Sequence, residues 1–430
     1  MKTIFRSSIL GLLIATILAL GAVASFAQDP CTDADGMTKM SEDLTRLYAD
    51  KSIEGRRKYI DTGKQFLEKY GSCDPAKDVA DYLKKYLPGL ETALKGMTDA
   101  AAETALTTRF NTALKASNWD EVYASGKEVL AKYPDKYRDV EILFGLIGLD
   151  ETAKTPRVTK WNDETLRYAK ISISDLEAGK TFSANYGVPP YSHKTKDEAL
   201  AELNYAVGFI LTYDKNNKKE AAPYLYKASQ FNSDTKKNPV LYQAIGAYYF
   251  DDVKKLAADV DTMIKAQDPK DPDDIAKQKV DAIKAKVAMV NGTSEAAIDA
   301  YARAYNLAKA DPKMNKPYSD GLYKTLQDLY NVRFGKMEGF DAFITKTVAQ
   351  PLRDPSAPVK PISDPEPAST PSATTKTPTS TPGTKPAGTT TTIKPTTTQP
   401  TVTPAKPGTT PPVKGKPGAK PQAVVTKPGI

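Results

Sequence analysis

The sequence predicts an all-α protein, an α-solenoid of helical hairpins followed by a disordered tail rich in proline and threonine. Three observations lead to this prediction. Apolar residues in the central region recur at the helical spacing i, i+3, i+4 and i+7. No run of β-branched residues alternates with the period of two that marks a half-buried strand. Similar helical stripes return along the chain, which is typical of repeat architectures.

The N-terminal residues 1–27 have the layout of a secretory signal peptide. Lys2 and Arg6 precede an apolar run that ends in the small residues Ser25 and Ala27. An uncleaved membrane anchor is the alternative, although the apolar run is short for a membrane span. We therefore expect an exported bacterial protein, periplasmic or extracellular, with no membrane span after cleavage of the signal.

At the other end of the chain the composition changes at residue 355, where the predicted tail, residues 355–430, begins. They contain 18 prolines, 19 threonines and no aromatic residue, so they cannot bury enough apolar surface to offset the entropy lost on ordering. They contain nine lysines and only two acidic residues, Asp364 and Glu366, so this tail is basic while the body is close to neutral. We expect weak contact of the tail with anionic glycopolymers and no specific nucleic-acid binding, because screened attraction is unspecific. A solubilising linker without a ligand is the alternative.

The body, residues 28–354, contains related helical segments. "GKQFLEKY" at 63–70 and "GKEVLAKY" at 126–133 are identical at five of eight positions, and "GKTFSANYG" at 179–187 is a fainter third copy. A glycine inside a helix costs about 1 kcal/mol relative to alanine. The repeated glycine therefore indicates close approach of a neighbouring helix.

The second half of the body resembles the tetratricopeptide-repeat family. In "NPVLYQAIGAYYFDDVKKLAADV" the small residue Gly246 sits between aromatic and aliphatic residues, and Ala258 takes the place of the small residue on the second helix. Gly208 lies 38 residues before Gly246, and "EAAIDAYARAYNLAKADP" resembles the second helix and exit of a repeat. The period of 34 residues typical of the family is not kept, and the insertion "VPPYSHKTKD" interrupts the array. The resemblance implies a superhelix that binds a protein or peptide on its concave face.

The two cysteines are expected to form a disulfide. Cys31 lies just before the first predicted helix and Cys73 just after the second, and an antiparallel hairpin brings those two ends together. An exported protein permits such a bond. A redox or metal role is disfavoured, since neither cysteine has a histidine or a second cysteine at ligand spacing.

The residues that usually carry catalysis are sparse. His193 is the single histidine, so a multi-histidine zinc site is excluded and a catalytic triad would depend on this residue alone. No phosphate-binding GxxxxGK[ST] loop is present. We expect no catalytic residue, no metal and no cofactor, and we interpret His193 as an incidental loop residue.

One line of aromatic residues suggests a ligand-binding face. Tyr205, Phe209 and Tyr213 are spaced i, i+4 and i+8 on one predicted helix. By resemblance to the repeat family they would face the concave surface, where they would be joined by candidates of the next repeat: Gln243, Phe250 and Asp251. Such a groove suits an extended peptide or a sugar ring. Packing between repeats is the alternative, because aromatic stripes at helical spacing are mostly core.

Two functional hypotheses follow. The first is a non-enzymatic interaction scaffold of the bacterial cell envelope that binds a protein or peptide partner on the concave face. The second is an envelope protein that binds glycan or peptidoglycan, or processes peptidoglycan, on a helical platform. An enzyme needs a convergent acid or nucleophile in a pocket, whereas a scaffold needs an open groove.

Overall fold

The computed structural model describes residues 29–364 of the 430-residue chain. The predicted signal peptide and residues 365–430 of the predicted tail lie outside this range. The described chain divides into two compact units at Ala116 and Ser117, here called the N-terminal unit (29–116) and the C-terminal unit (117–364). Within 29–364 no helix is long and apolar enough to cross a membrane.

The N-terminal unit is a succession of three helices in which each packs on the next. They are α1 (Ala34–Ala49), α2 (Ile53–Tyr70) and α3 (Lys77–Lys115). Side-chain caps start the first two helices, since Asp33 accepts a hydrogen bond from the Gly36 N–H and Ser52 accepts one from the Gly55 N–H. The "GKQFLEKY" stretch lies in α2, and its glycine, Gly63, is buried against leucine side chains of α3.

The predicted disulfide is confirmed. Cys31 and Cys73 are bonded, with 2.05 Å between the sulfur atoms and 42 residues of separation in sequence. The bond joins the segment that precedes α1 to the segment that follows α2. Next to it, the Asp33 carboxylate accepts hydrogen bonds from the Tyr70 hydroxyl at 2.6 Å and the Lys69 ammonium at 2.9 Å, so polar contacts hold the same two helix ends together.

The C-terminal unit contains the remaining described helices and one short β-hairpin. The elements are, in chain order, α4 (Trp119–Lys132), α5 (Asp139–Ala153), α6 (Asn162–Glu177), β1 (Gly187–Val188), β2 (Tyr191–Ser192), α7 (Lys196–Tyr213), α8 (Lys218–Gln230), α9 (Pro239–Lys265), α10 (Asp273–Ala310), α11 (Lys316–Phe334) and α12 (Phe340–Val348).

These helices stack as consecutive hairpins. Helix α5 packs on α6, α7 on α8, and α9 on α10, and each hairpin also packs on the next through α6 with α7, α8 with α9, and α10 with α11. The first helices of successive hairpins touch as well, α5 with α7 and α7 with α9. One continuous apolar core runs from α5 to α12. The predicted fold class, an all-α solenoid of helical hairpins, is confirmed.

Glycines lie where paired helices approach each other closely, as the sequence predicted. A Cβ atom on Gly208 of α7 would lie 2.4 Å from Cγ of Leu225 on α8. A Cβ on Gly246 of α9 would lie 2.6 Å from the ring of Tyr301 on α10. At both positions only hydrogen fits between the paired helices.

Two details of the predicted repeats are wrong. The third copy is not helical: α6 ends at Glu177, and Gly179 takes the left-handed conformation (φ +74°) that caps a helix C-terminus and turns the chain away. Ala258 is not on a second helix, because α9 runs unbroken from Pro239 to Lys265 and carries both Gly246 and Ala258. No glycine or proline lies between these two positions to end the helix, and α10 supplies the partner.

The first ten residues of the predicted tail belong structurally to the C-terminal unit. Residues 355–364 lie against α10, where the Ile362 N–H donates a hydrogen bond to the Ala288 carbonyl at 2.8 Å. Composition assigned these residues to the tail because they are rich in proline and polar, but these specific contacts hold them on the body.

Candidate functional site

The predicted aromatic stripe on α7 is mostly core. Tyr205 is 5% exposed and Phe209 is 2% exposed, and their ring centroids are 5.7 Å apart. Tyr213 is partly buried, its ring centroid lies 4.7 Å from that of Phe209 in a tilted arrangement, and it lies under the guanidinium of Arg157. The stripe therefore packs the hairpins together, which is the alternative that the sequence left open.

The other three predicted binding residues are engaged with neighbouring helices. The Gln243 side-chain oxygen accepts a hydrogen bond from the Tyr318 hydroxyl of α11 at 2.8 Å. Phe250 meets the Tyr301 ring of α10 edge to face. Asp251 pairs with Lys218 at the start of α8, with 2.5 Å between the charged atoms. Each of the three residues therefore has a partner on a neighbouring helix, which is α11, α10 and α8, respectively.

The insertion between α6 and α7 instead builds a small hairpin over α5. Gly187 of β1 pairs with Ser192 of β2, and the Asp139 carboxylate at the start of α5 accepts hydrogen bonds from the N–H groups of Gly187 and Ser183. Gly187 has φ +113°, and a Cβ there would lie 2.2 Å from the Tyr191 carbonyl oxygen, so this position requires glycine. The hairpin is thereby fixed to α5.

The β-hairpin brings together a polar and aromatic group that we call the hairpin cluster. Its members come from four parts of the C-terminal unit: Trp119, Asp150, Glu151, Tyr191, His193 and Glu202. The Tyr191 hydroxyl donates a hydrogen bond to the Asp150 carboxylate at 2.7 Å. The indole N–H of Trp119 donates one to Glu151, also at 2.7 Å, and the Trp119 and Tyr191 rings are 6.4 Å apart. Two carboxylates are thus held by the polar edges of two aromatic side chains.

His193 and Glu202 form the second half of the hairpin cluster. Nδ1 of His193 lies 3.3 Å from a carboxylate oxygen of Glu202, and the side chains are 9% and 39% exposed, respectively. Nε2 of His193 is buried and has no hydrogen-bond partner among the described residues. The imidazole is therefore enclosed by protein, while the Glu202 side chain is only partly exposed.

Burial and mutual repulsion raise the pKa values of two carboxyl groups of the hairpin cluster, those of Asp150 and Glu202. Burial, and then the charges of Asp150 and Glu198, raise the pKa of Glu202 from 4.5 to about 7. Burial also raises the pKa of Asp150, an effect that the Tyr191 hydrogen bond opposes. The pKa of His193 is lowered because burial disfavours its charged form. Near neutral pH, Glu202 is therefore partly protonated.

The charges of the hairpin cluster are only partly compensated within the described residues. Lys154 pairs with Glu151 at 2.5 Å. Across 29–364, neither Asp150 nor Glu202 forms an ion pair with a lysine or arginine. Two carboxyl groups with raised pKa values, beside aromatic rings, suit a cationic ligand or a proton-transfer step. Within the same range no group of three or more acidic, histidine or cysteine side chains is arranged to hold a metal ion.

Sequence reasoning passed over most of this cluster. It interpreted His193 as an incidental loop residue, whereas the structure encloses this side chain beside Glu202. Glu202 lies three positions before Tyr205 on α7, so the candidate stripe stopped one turn short of it. The Gly187 turn and the two prolines of the insertion were the available signal for an ordered hairpin.

Comparison of the sequence with protein-family models, with curated proteins and with solved structures finds no match. The fold described above therefore rests on helix packing, and the relationship to tetratricopeptide repeats stays a prediction.

Proposed function

We propose that this chain is a non-enzymatic scaffold of the bacterial cell envelope, which binds a protein or peptide partner through a basic group placed at the hairpin cluster. The observation that carries the proposal is the pair Asp150 and Glu202, whose carboxyl groups form no ion pair with a lysine or arginine across 29–364. Retaining such a pair costs stability, since burial and repulsion disfavour both charges. A lysine or arginine of a partner would offset that cost, and the Tyr191 and Trp119 rings would add cation–π attraction.

The stacked helical hairpins support the proposal of a scaffold. Consecutive hairpins with glycine at the contact between paired helices are what tetratricopeptide-type repeats use, and we propose that α5 to α11 are degenerate repeats of this type. The Cys31–Cys73 disulfide supports export, because such bonds persist in oxidising compartments such as the periplasm or the extracellular space.

Binding of a short fluorescent oligolysine to the full chain, followed by anisotropy at physiological salt, tests the proposal. We expect Glu202→Gln combined with Asp150→Asn to weaken binding about tenfold, equivalent to about 1.4 kcal/mol. Because a cation prefers ionised Glu202, the affinity of oligolysine for the unmodified chain should increase as the pH is raised through about 7.

The matched control is Asp320→Asn, which removes one carboxylate from the exposed surface of α11, where Asp320 pairs with Lys316. This variant should change the affinity less than twofold, since exposed ion pairs contribute little. If both variants lose the same affinity, the attraction is a property of the whole surface and the proposal is wrong.

Glycan or peptidoglycan binding, or peptidoglycan processing, is the second candidate. It is favoured by Glu202, whose pKa of about 7 suits a general acid, and by the nearby Trp119 and Tyr191 rings, which suit stacking on sugars. Incubation with purified peptidoglycan distinguishes the two. Release of soluble muropeptides that Glu202→Gln abolishes would establish an enzyme and overturn the scaffold proposal.

A further inference from the structure

The chain that follows α12 turns at 355–357 and then lies against α10 without forming a helix or strand. Leu352 is buried in the main core and Val359 packs against the same core. Farther along, the Ile362 N–H donates a hydrogen bond to the Ala288 carbonyl of α10 at 2.8 Å. We call residues 358–364, "PVKPISD", the strap. Its apolar side chains at positions 359 and 362 are partly buried, while Lys360 and Pro361 are exposed.

Helix α10 contacts the backbone of the strap through two specialised residues. Asn291 is 5% exposed, and its side-chain amide donates a hydrogen bond to the Ile362 carbonyl at 3.1 Å. Gly292 makes room for the strap, because a Cβ at this position would lie 2.1 Å from the Lys360 carbonyl oxygen. The Asn291 amide and the Ala288 carbonyl thus satisfy both backbone polar groups of Ile362.

A buried arginine contacts the acidic end of the strap. Arg333 of α11 is 7% exposed. Its Nε donates to Glu295 of α10 at 2.9 Å, and its Nη1 donates to the Asp364 carboxylate at 2.8 Å. Glu295 therefore fixes the guanidinium and leaves one edge for a second carboxylate. This charge-assisted hydrogen bond favours an acidic residue two positions after Ile362.

We propose that the α10–α11 surface around Asn291, Gly292 and Arg333 is a binding site for extended, proline-containing peptides with an apolar residue two positions before an aspartate. In the free protein the chain's own strap occupies it. The contacts are those of extended-peptide recognition: backbone hydrogen bonds give affinity, while an apolar contact and a charge give specificity. The peptide site contains none of the hairpin cluster residues, so it is independent of whether a basic partner binds there.

The attached strap competes with any free peptide of the same chemistry. A covalently linked segment acts at an effective concentration in the millimolar range. A free peptide therefore occupies the site only when the strap is weakened, and this gives the proposal its test.

The test uses the full chain and a fluorescent synthetic peptide of residues 355–366. Ile362→Pro removes the strap N–H that bonds to Ala288, and Asp364→Ala removes the partner of Arg333. We expect the chain with both changes to bind the peptide at least about tenfold more tightly than the unmodified chain, because the competing strap is released. Equal binding by the two chains would overturn the proposal.

A third change locates the binding. In the doubly changed chain, Gly292→Ala should weaken the peptide by about tenfold or more, since its Cβ meets the peptide carbonyl. Gly321→Ala on α11 is the matched control, because a Cβ there meets nothing within 4 Å, and it should leave the affinity within about twofold. If Gly292→Ala left the peptide affinity unchanged, the peptide would bind elsewhere and the proposed site would be wrong.

Deuterium exchange on the unmodified chain tests the same site without the strap substitutions. The Ile362 amide should exchange at least about tenfold more slowly than in the free peptide, because it donates to Ala288. If the Ile362 amide of the chain exchanged as fast as that of the free peptide, the strap would not occupy the site and the proposal would be wrong.

Discussion

The two units are stabilised in different ways. The N-terminal unit has a small core between α1, α2 and α3, and a disulfide together with the Asp33, Lys69 and Tyr70 contacts ties its helix ends. The C-terminal unit has one core that continues through its stacked hairpins from α5 to α12. A small core stabilises a fold only marginally, whereas a large one leaves room for unfavourable groups. In the N-terminal unit, hydrogen bonds to the Asp33 carboxylate favour folding. The C-terminal unit contains Asp150 and Glu202, and burial of these two carboxyl groups opposes folding.

Removal of the disulfide should have the largest effect and should separate the two units. Cys31→Ser with Cys73→Ser frees a loop of 42 residues, which the chain-entropy model equates to about 4 kcal/mol. We expect amide exchange in α1 and α2 to accelerate by up to about a thousandfold. Both tryptophans, Trp119 and Trp161, lie in the C-terminal unit, so the urea transition followed by their fluorescence should stay in place.

The control is the unmodified chain treated with a reductant, which should reproduce the exchange pattern of the double variant. A shift of the tryptophan transition equal to the loss in α1 and α2 would contradict the comparison, because it would make the two units one cooperative structure.

Glycines at helix contacts should show the next largest difference. Gly208→Ala places a Cβ 2.4 Å from Cγ of Leu225, a branch point that cannot swing aside, so we expect a loss of about 1–3 kcal/mol in the C-terminal unit. For Gly63→Ala, the atoms nearest to the added Cβ are methyl groups of Leu87 and Leu83, at 3.1 to 3.3 Å. These methyls can move, and alanine favours the helix by up to about 1 kcal/mol, so the N-terminal unit should be nearly unchanged.

Urea unfolding followed by tryptophan fluorescence measures the first of these variants, and amide exchange in α2 measures the second. Gly96→Ala is the control for helix propensity alone, since a Cβ at this position in α3 meets nothing within 4 Å. It should stabilise α3 by up to about 1 kcal/mol. Equal losses for Gly63→Ala and Gly208→Ala would show that the two helix contacts are equally tight.

Local patterns in the sequence were sufficient to predict the fold class but not the candidate site. Helical periodicity predicted the array, and two cysteines flanking a pair of helices predicted the disulfide. The hairpin cluster depends on contacts such as Trp119 with Tyr191, which are far apart in sequence and follow no local period. Tyr205 and Phe209 looked like a binding stripe because an aromatic residue at helical spacing fits a groove and a core equally well.

The boundary of the tail was also beyond local reasoning. Composition separates proline-rich from helical segments, but it does not show that Asn291 and Arg333 hold residues 362 and 364. The glycine at 292, inside the helix-forming stretch of α10, was the available sign that a second backbone approaches there.

The smallest predicted effect is a pH dependence of opposite sign in the two units. In the C-terminal unit the pKa of Glu202 is raised from 4.5 to about 7, so the folded state binds more protons and stability falls as the pH rises between these values. Glu202→Gln should remove this fall and make the C-terminal unit more stable above pH 7. We expect about 1 kcal/mol, because solvent screens a side chain that is 39% exposed. Urea titrations followed by tryptophan fluorescence below and above this range measure it.

Asp33 provides the opposite case in the N-terminal unit. Hydrogen bonds from Tyr70, Lys69 and the Gly36 N–H hold the pKa of Asp33 at about 2, below its ordinary 3.8. Its contribution is therefore present above that ordinary value and is lost as the pH falls towards 2. Asp33→Asn should flatten the acid sensitivity of exchange in α1 and α2 while leaving the tryptophan transition unchanged. If Glu202→Gln and Asp33→Asn shifted stability with the same sign of pH dependence, the contrast between a unit whose carboxylates favour folding and one that retains unfavourable carboxyl groups would be wrong.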